Sequence, residues 1–576
     1  MTSRLFGPRS VLAAACGALI IALYAAPTGP VRAAAQDVGS DAQRESGKKL
    51  YDKYCSQCHG DKGDGEGYAT PRLYPKPRNF TTGKYKIRTT PTGALPTHQD
   101  LVNVIRRGMP YTSMPAWPNF TAPEVSDLAH FLTTFSPDFA NKDSVPQPVT
   151  LPAAPAATNE SIEAGKKLYE ETGCVACHGT LGRGDGTSAP AMVDDFGQPI
   201  RPANLAQSWT FRGGSSREDI YRTMSTGFNG TPMPGFDDSA LTPEQKWAIT
   251  DYIVSLSGTE GPGYTNLLVA RHVLDPIDLS KGTASFESAR AARFPIVGQI
   301  MEPGRSFHPP ATSVTVQAIY DAESIAVLVR WHDMSAEKAG KNGPALPVPA
   351  EEEGAPAPGA PAGETGGGAT NPFGDAVVTP AQAGQPPADP FAEAQAPAAP
   401  PSEFSDAVAV QMPSQVPTGA RKPYFIFGDA QSSVDLWFFD LARPEPVQFT
   451  GKGSADIVVN DAGELSGVAS YDQGEWSVIF KRPLRSASGT RLSPGEFMPI
   501  AFSVWDGLAR ERGNRRGLTL WYSLYVEPEL VPSAVGPMIQ TALIILALEL
   551  IVIALARSRY RSRNRGGRTP ATVTSA

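Results

Sequence analysis

The pattern C-x-x-C-H occurs twice in the chain, as Cys55-Ser56-Gln57-Cys58-His59 and as Cys174-Val175-Ala176-Cys177-His178. Two thiols at this spacing can each form a thioether with one vinyl group of the same haem, and the adjacent histidine then supplies the proximal iron ligand. A structural zinc site would need four ligands, and a redox C-x-x-C would lie near a βαβ pattern, which is not evident here. The pattern therefore predicts two covalent haem c groups, held by Cys55, Cys58, Cys174 and Cys177, with His59 and His178 as proximal ligands.

The chain has five cysteines, four of them in the two motifs, and the fifth, Cys16, lies in the N-terminal segment. No cysteine is left for a disulfide or for a nucleophilic cysteine catalyst. The length of 576 residues allows several domains, and the net charge of -7 argues against nucleic acid as a partner. An acidic surface is compatible with a basic redox partner, although acidic surfaces also simply keep proteins soluble.

Residues 1–35 have the pattern of a secretory signal. Arg4 and Arg9 form its basic start, Val11 to Ala26 is its apolar core, and Ala33-Ala34-Ala35 offers a small-residue cleavage site. Cys16 would suit a lipoprotein box, but the apolar core continues well past it, so we expect Cys16 to be removed with the signal. Export fits the predicted cofactor, because haem c is attached outside the bacterial cytoplasm.

Residues 41–140 and 160–258 read as one domain written twice. Gly47-Lys48-Lys49-Leu50-Tyr51 precedes the first motif and Gly165-Lys166-Lys167-Leu168-Tyr169 the second, each within a short amphipathic helical pattern. A ladder of glycines follows each motif, and glycine lets the backbone turn close to a large planar ligand. The ladders are Gly63, Gly65 and Gly67, and Gly182, Gly184 and Gly186.

Each copy also contains a Met-Pro pair, Met114-Pro115 and Met233-Pro234, and each methionine lies 55 positions after the histidine of its motif. A thioether is a soft, neutral ligand that suits a haem iron cycling between two oxidation states. The equal spacing favours Met114 and Met233 as distal ligands over their rivals, Met109 and Met224, and packing in the core is the plain alternative. Helices are expected directly after both pairs, at Thr121-Ala122-Pro123-Glu124 and at Thr242-Pro243-Glu244.

With these motifs, residues 41–258 resemble two class I cytochrome c domains. The resemblance implies two all-α domains, each with three or four helices around one haem and a His and Met axial pair. A full axial shell leaves no open position for a substrate, so the resemblance implies electron transfer. Arg88 and Arg212 are candidates to pair with haem propionates, because a guanidinium suits carboxylates, and a solvated surface position is the alternative for both.

Residues 141–159 hold four prolines and are expected to form a linker between the two repeats. Residues 262–530 read as a β domain. A Pro/Ala-rich insert at 343–402 interrupts the domain, and it has too few apolar residues to bury a core, so disorder is expected there. Alternating residues at 314–320 and 325–331 predict a hairpin. Further strands at 424–427, 434–439, 476–480, 500–505 and 518–525 suggest an antiparallel β-sandwich.

Three sequence segments of this domain resemble the haem-binding γ subunit of ethylbenzene dehydrogenase and related molybdenum enzymes. They are Val329-Arg330-Trp331-His332-Asp333, Gly428-Asp429 with Val434-Asp435-Leu436-Trp437, and Ala501 to Gly507 followed by Glu511-Arg512. The resemblance implies one haem b in 262–530, held between a methionine and a lysine. Phe427 stands where that methionine is expected, and Met412, Met498, Lys422 and Lys481 are the candidate ligands. Ordinary hydrogen bonding is the expectation for His272, His308 and His332.

Residues 534–556 contain one charged residue, Glu549, and have the length of a single membrane span. The arginines of residues 557–576 predict a basic cytoplasmic tail. The sequence therefore predicts a single-pass protein of the bacterial inner membrane with the bulk of the chain in the periplasm. A buried core helix is the alternative, and the apolar run is long for one.

Together these features predict an electron-transfer subunit that is not itself an enzyme. It would link the catalytic and iron–sulfur subunits of a periplasmic oxidoreductase, of the molybdopterin type, to an electron carrier of the respiratory chain. Two alternatives stay open. One is a dihaem enzyme, such as a thiosulfate dehydrogenase or a peroxidase, which needs a labile axial position. The other is a partner-binding module without haem b.

Overall fold

The computed structural model of the protein describes residues 38–141, 145–257, 261–348, 402–417, 421–460, 463–486, 490–529 and 535–565. The predicted signal at 1–35, residues 349–401 of the predicted insert and residues 566–576 of the predicted tail lie outside these ranges. Within them, the chain forms a helical N-terminal part, a large β domain and one long C-terminal helix.

The helical part has the same order of four α-helices twice, in unit 1 (residues 41–141) and in unit 2 (residues 159–257). Short 3-10 turns connect the helices at Thr70–Arg72, Thr133–Phe135, Pro137–Ala140, Ala189–Ala191 and Ser208–Thr210. The α-helices of the described chain are α1 (Asp41–Tyr54), α2 (Ser56–His59), α3 (His98–Arg107), α4 (Ala122–Leu132), α5 (Asn159–Glu171), α6 (Val175–His178), α7 (Arg217–Thr226), α8 (Pro243–Ser257) and α9 (Val535–Arg565).

Helices α4 and α8 begin where the sequence predicts. The Thr121 hydroxyl accepts the Glu124 amide, and the Glu124 carboxylate accepts the Thr121 amide at 2.8 Å. Thr242 and Gln245 exchange the equivalent two bonds at the start of α8. These reciprocal caps satisfy amides that have no partner inside the helix, and each helix has a proline in its first turn.

Each unit is held together by a close crossing of its first and last helices, α1 on α4 and α5 on α8. A Cβ at Gly47 would lie 2.1 Å from the Asp127 carbonyl oxygen, and a Cβ at Gly165 would lie 1.9 Å from that of Ala248. Only glycine permits this approach. Packing therefore explains why each copy has a glycine at this position, four residues before a tyrosine. The two tyrosines, Tyr51 and Tyr169, are fully buried.

The β domain consists of fourteen strands within the described residues. Eleven of them form one continuous path in the order β10-β11-β5-β4-β1-β14-β12-β6-β7-β8-β9, and β2, β3 and β13 attach beside it. The strands are β1 (Leu267–His272), β2 (Ala292–Pro295), β3 (Val297–Gly298), β4 (Ser313–Tyr320), β5 (Ser324–His332), β6 (Ala407–Pro413), β7 (Val434–Asp440), β8 (Val447–Gly451), β9 (Ile457–Val459), β10 (Ser466–Asp472), β11 (Glu475–Pro483), β12 (Phe497–Trp505), β13 (Gly517–Leu518) and β14 (Tyr522–Val526).

The sheet is mixed, so the prediction of an antiparallel sandwich is wrong for two pairs. Strand β1 runs parallel to both of its neighbours, β4 and β14. Antiparallel neighbours follow from tight turns, whereas β1 reaches its place from a distant part of the chain, so no turn fixes its direction. The predicted hairpin is confirmed as β4 and β5, which pair antiparallel.

Both halves of the path pack on one hydrophobic core. The ring of Phe480 on β11 lies 6.1 Å from Phe439 on β7, and Arg482 on β11 pairs with Asp435 on β7 at 2.6 Å. Because these strands belong to opposite halves of the path, the sheet folds over on itself. The core is therefore that of a sandwich, although its pairing is mixed.

Two other predictions about the β domain are wrong in detail. Residues 424–427 form a turn, because Phe427 adopts a φ of +60° and Gly428 a φ of +79°, which no strand allows. The predicted strand at 518–525 is divided into β13 and β14. The start of the predicted insert is also packed, since the Pro347 carbonyl accepts from Arg512 and Val348 contacts Gly304.

The two ends of the sheet have different neighbours. One end, called the motif end, is where β4 begins, where β5 and β12 finish, and where β10 turns into β11. This end contacts both units. At the opposite end, called the far end, β4 turns into β5 and β14 finishes at Val526. The chain leaves from the far end toward α9. Residues Val535–Ser562 of α9 form one helix that is long and apolar enough to cross a membrane.

Candidate functional site

One cavity of about 1090 Å³ joins the two units and the motif end of the β domain. Its walls include all eight residues predicted to hold haem: Cys55, Cys58, His59, Met114, Cys174, Cys177, His178 and Met233. The sequence predicts two separate pockets, one in each domain. The structure instead brings both motifs to the wall of a single space.

The motifs form single helical turns, α2 and α6, that place two thiols and one imidazole on the cavity wall. The His59 amide donates to the Cys55 carbonyl at 2.9 Å, and the His178 amide donates to that of Cys174 at 2.9 Å. None of the four cysteines forms a disulfide within the described residues. Burial raises the pKa of Cys55 to about 12 and also raises the pKa of Cys174, so the unreacted thiols are held protonated.

The two proximal histidines have the same orienting contact. Nδ1 of His59 lies 3.0 Å from the Arg78 carbonyl oxygen, and Nδ1 of His178 lies 3.0 Å from that of Ala203. A carbonyl can only accept, so each Nδ1 carries the proton and each Nε2 keeps a free lone pair. Burial lowers the pKa of both imidazoles, which favours the neutral ligand form.

The structure brings the rival methionines into the cavity as well, since Met109 and Met224 also lie on its wall. Comparison of the two copies separates them from Met114 and Met233. The Met109 amide bonds the Met114 carbonyl just as the Phe228 amide bonds that of Met233, so Met109 corresponds to Phe228. Similarly, the Ile105 carbonyl accepts the Trp117 amide, and the Met224 carbonyl accepts the Phe236 amide. Each donor is the third residue after the Met-Pro methionine of its unit, so Met224 corresponds to Ile105. Each rival therefore has a hydrocarbon side chain as its counterpart, which favours Met114 and Met233.

Several half-buried cations on the cavity wall were not predicted from the sequence. Arg78, Lys86 and Arg201 line the cavity together with Arg212, which the sequence did predict. Burial, with Arg78 and Arg212 nearby, lowers the pKa of Lys86 to about 8. Nη1 of Arg78 is buried and has no hydrogen-bond partner in the described residues. These groups fit haem propionates, because a buried guanidinium needs an anionic acceptor.

Arg88 lies elsewhere than predicted. Its guanidinium is 3% exposed and donates to the carbonyl oxygens of Thr226, at 2.6 Å, and Gly227, at 3.2 Å. It therefore joins unit 1 to unit 2 and does not line the cavity. Arg107, also in unit 1, makes a similar contact, to the carbonyl oxygen of Arg212 at 2.6 Å. In the opposite direction, the Asn229 side-chain amide of unit 2 donates to the Ala94 carbonyl of unit 1 at 3.2 Å. Polar contacts in both directions therefore fix the units to each other.

The glycine ladders give a second test of whether haem fits. A Cβ at Gly67 would lie 2.3 Å from the Gln57 carbonyl oxygen, and a Cβ at Gly186 would lie 2.3 Å from that of Ala176. In each unit the ladder therefore packs directly on the backbone of the motif turn, which holds the thiols and imidazole in place. The donor set and the half-buried cations fit haem at both positions.

The β domain completes the cavity with His308, Thr312, His332, Met334 and Asp506. Asp506 pairs with Arg201 of unit 2 at 3.2 Å. Nδ1 of His332 lies 2.7 Å from the Gly474 carbonyl oxygen, as expected for an ordinary hydrogen-bonding histidine. Next to these, the carboxylates of Asp333, Glu337, Asp406 and Asp506 converge within 4.8 Å, and burial with mutual repulsion raises the pKa of Asp333 and Asp406.

The candidate haem b ligands do not form a comparable site. Met412 and Met498 are buried in the packed core of the sheet, and Lys481 donates to the Ile277 carbonyl at 2.6 Å. Lys422 is exposed. None of the four lines the cavity that contains the C-x-x-C-H motifs.

Comparisons with known proteins agree with the geometry. Residues 42–132 match the family model of cytochrome c oxidase, cbb3-type, subunit III, and residues 162–257 match that of cytochrome c. The chain is 42% identical to a chain of the reducing HAO-like protein complex of Kuenenia stuttgartiensis, of which it covers 96%. That match covers 37% of this chain, with a TM-score of 0.36.

Two curated relatives are also similar. The chain is 28% identical over 169 residues to ORF7 of Haloferax mediterranei, named for a respiratory nitrate reductase heme subunit. It is 33% identical over 106 residues to the cbb3-type cytochrome c oxidase subunit CcoP of an Azospirillum species. These matches cover 29% and 16% of this chain, and 58% and 31% of the relatives' own lengths.

Proposed function

We propose that the chain is a dihaem electron-transfer subunit of a membrane-bound respiratory complex, because residues 42–132 match the family model of cbb3-type cytochrome c oxidase subunit III and residues 162–257 match that of cytochrome c. Haem c, when bound, supplies one-electron redox chemistry. The chain's own residues hold it covalently through Cys55, Cys58, Cys174 and Cys177, and ligate it through His59, Met114, His178 and Met233.

One observation supports this proposal above the others: two complete donor sets line one cavity. Each set has two thiols, an imidazole fixed through Nδ1 and a methionine on a hydrogen-bonded loop. A His and Met pair at each haem would fill both axial positions, which would leave neither site a place for a substrate. Two adjoining closed sites suit transfer of electrons between them, and a dihaem enzyme would need one open site.

The two units and the β domain form one assembly on which partner subunits would dock. Both units are attached to the motif end of the sheet, through Ser113 to His308, Arg183 to the Gln473 carbonyl, and Arg201 to Asp506. We propose that the catalytic and iron–sulfur subunits of a periplasmic oxidoreductase, of the molybdopterin type, dock on this rigid assembly, and that α9 anchors it in the inner membrane with the tail in the cytoplasm.

The test is purification of the full chain from its native membrane. Mass spectrometry should show two added haem masses, about 1.2 kDa in total, as expected for thioether attachment at both motifs. A pyridine haemochrome spectrum counts haem c and haem b separately. Co-purification of a molybdopterin subunit and an iron–sulfur subunit, with reduction of both haems on addition of their substrate, would support the partner assignment. Turnover of peroxide or thiosulfate by the isolated chain would instead favour the enzymatic alternative.

A further inference from the structure

A loop of the β domain enters the cavity beside the predicted distal ligand of unit 1. The loop spans residues 305–312, between β3 and β4, and His308, Pro309, Pro310 and Thr312 line the cavity. Nε2 of His308 lies 2.5 Å from the Ser113 hydroxyl oxygen. Ser113 directly precedes Met114. A side chain of the β domain is therefore hydrogen-bonded to the residue next to the predicted iron ligand.

The loop that presents His308 is itself fixed. The Ser306 amide donates to the Gln299 carbonyl at 2.7 Å, and the Ile296 amide donates to the Thr312 carbonyl at 3.0 Å. Two consecutive prolines follow His308, and each restricts its own φ to a narrow range. The imidazole is thus held by a rigid support. Burial and the neighbouring Arg212 lower its pKa, so it stays neutral.

The two methionine loops share their internal hydrogen bonds but differ at this contact. In unit 1 the Thr112 hydroxyl accepts the Met114 amide at 3.1 Å and donates to the Met109 carbonyl at 2.8 Å. In unit 2 the Thr231 hydroxyl accepts the Met233 amide at 3.3 Å and donates to the Phe228 carbonyl at 2.8 Å. The residue before the methionine is Ser113 in unit 1 but Pro232 in unit 2, and proline has no side-chain donor or acceptor.

We propose that His308 is a positioning residue for Met114: through Ser113 it holds the methionine loop of unit 1, so that the β domain sets the strength of one axial bond and leaves the other unit unaffected. The proposal rests on the proposed function, in which Met114 is the distal ligand. Residues that orient a metal ligand from outside typically change metal affinity or activity 10–100-fold when they are removed. Loss of the His308 contact should loosen the Met114 loop, so that an external ligand competes better with Met114 for the haem iron. The affinity of that external ligand should therefore change by a similar factor.

The test measures displacement of each methionine by imidazole in the full-length holoprotein. His308→Ala and Ser113→Ala should each raise the imidazole affinity of one haem by about tenfold and weaken its methionine–iron charge-transfer band. The other haem should keep its affinity. Combining the two substitutions should add nothing further, because both remove the same hydrogen bond. His308→Gln, which can still hydrogen-bond, should restore most of the wild-type behaviour, and His272→Ala serves as a matched control at the far end of the sheet.

Unchanged affinity in both His308→Ala and Ser113→Ala, or an equal change at both haems, would overturn the proposal. Ser113→Ala removes only one oxygen, so it remains informative even if His308→Ala does not fold. Met114→Ala distinguishes a wrong ligand assignment from a wrong role of His308. If it leaves both charge-transfer bands in place, then the ligand assignment itself fails. If it removes one band while the His308 and Ser113 variants behave as wild type, then only the role of His308 is wrong.

Discussion

The guanidinium of Arg88 donates to the Thr226 carbonyl oxygen over 2.6 Å, across the boundary between the two units. A second bond from the same side chain reaches the Gly227 carbonyl at 3.2 Å. Arg212, which the sequence analysis grouped with Arg88, instead faces the cavity. The two arginines should therefore have different roles, one in holding the units together and one in the electrostatics of the haem site.

Substitution can distinguish these roles. Arg88→Met should lower the free energy of unfolding by about 3 kcal/mol, because two buried carbonyl groups lose a charged donor. Arg212→Met should leave stability closer to wild type but lower the midpoint potential of one haem by on the order of 60 mV, since loss of a nearby cation disfavours the added electron. Urea unfolding and redox titration measure the two effects. The opposite pattern, with Arg88→Met shifting a potential and Arg212→Met unfolding the chain, would contradict the assignment.

The distal ligands can be tested one unit at a time. Met114→Ala and Met233→Ala should each abolish the methionine–iron charge-transfer band of one haem and allow carbon monoxide to bind the reduced form. Met109→Leu and Met224→Leu are matched controls, because their counterparts, Phe228 and Ile105, show that a hydrocarbon side chain is accepted there. A control that lost the band while Met114→Ala kept it would reverse the choice of ligand.

The glycine ladder of unit 2 should tolerate no side chain at its last position. Gly186→Ala would place a methyl group 2.3 Å from the Ala176 carbonyl oxygen, inside the motif turn. The backbone must shift to relieve this contact, at a cost of about 1–3 kcal/mol, and haem attachment at Cys174 and Cys177 should fall with it. Gly261→Ala is the control, since a Cβ there meets nothing within 4 Å. Full occupancy by two haems in Gly186→Ala would show that the ladder has no such role.

A buried carboxyl group makes the stability of the β domain depend on pH. Burial and the neighbouring Asp506 raise the pKa of Glu511 to about 8, above its ordinary value of 4.5. The folded state therefore binds more protons than the unfolded state between these two values. Stability from this group is present below pH 4.5 and is lost as the pH rises through 8, at up to about 1.4 kcal/mol per pH unit.

Glu511→Gln should flatten this dependence, because the amide keeps an acceptor for the Asp506 amide but does not titrate. Urea unfolding followed by tryptophan fluorescence at pH 5, 6.5 and 8 would measure the slope. Part of the slope should remain, since Asp333 and Asp406 also have raised pKa values. An unchanged slope in the variant would mean that Glu511 is ionised in the folded protein.

The sequence was most informative where function depends on neighbours along the chain. The C-x-x-C-H turns, the caps at Thr121 and Thr242 and the hairpin at 313–332 all involve residues a few positions apart, and the structure has them as predicted. The distal ligands were reached only through the repeat, since one copy alone would not separate Met114 from Met109. Their assignment stays a prediction.

The features that could not be predicted from the sequence depend on contacts between segments that are distant along the chain. The Tyr74 hydroxyl donates to the Pro199 carbonyl, and Arg201 pairs with Asp506, across 125 and 305 positions respectively. No local pattern marks Arg78 or Lys86 as cavity cations, because a surface arginine or lysine has the same neighbours in sequence. The parallel direction of β1 was likewise hidden, and the turn at Phe427 was missed because aromatic residues usually favour strands.

The cavity and the point at which the chain leaves the β domain lie at opposite ends of the sheet. Strand β4 has eight residues, so about 26 Å separates the motif end of the sheet from the far end. Under the proposed anchoring through α9, this length would hold the cavity away from the headgroups and from a quinone dissolved in the bilayer. The electron carriers of the proposed haem sites would then be proteins or small molecules that approach from the aqueous side.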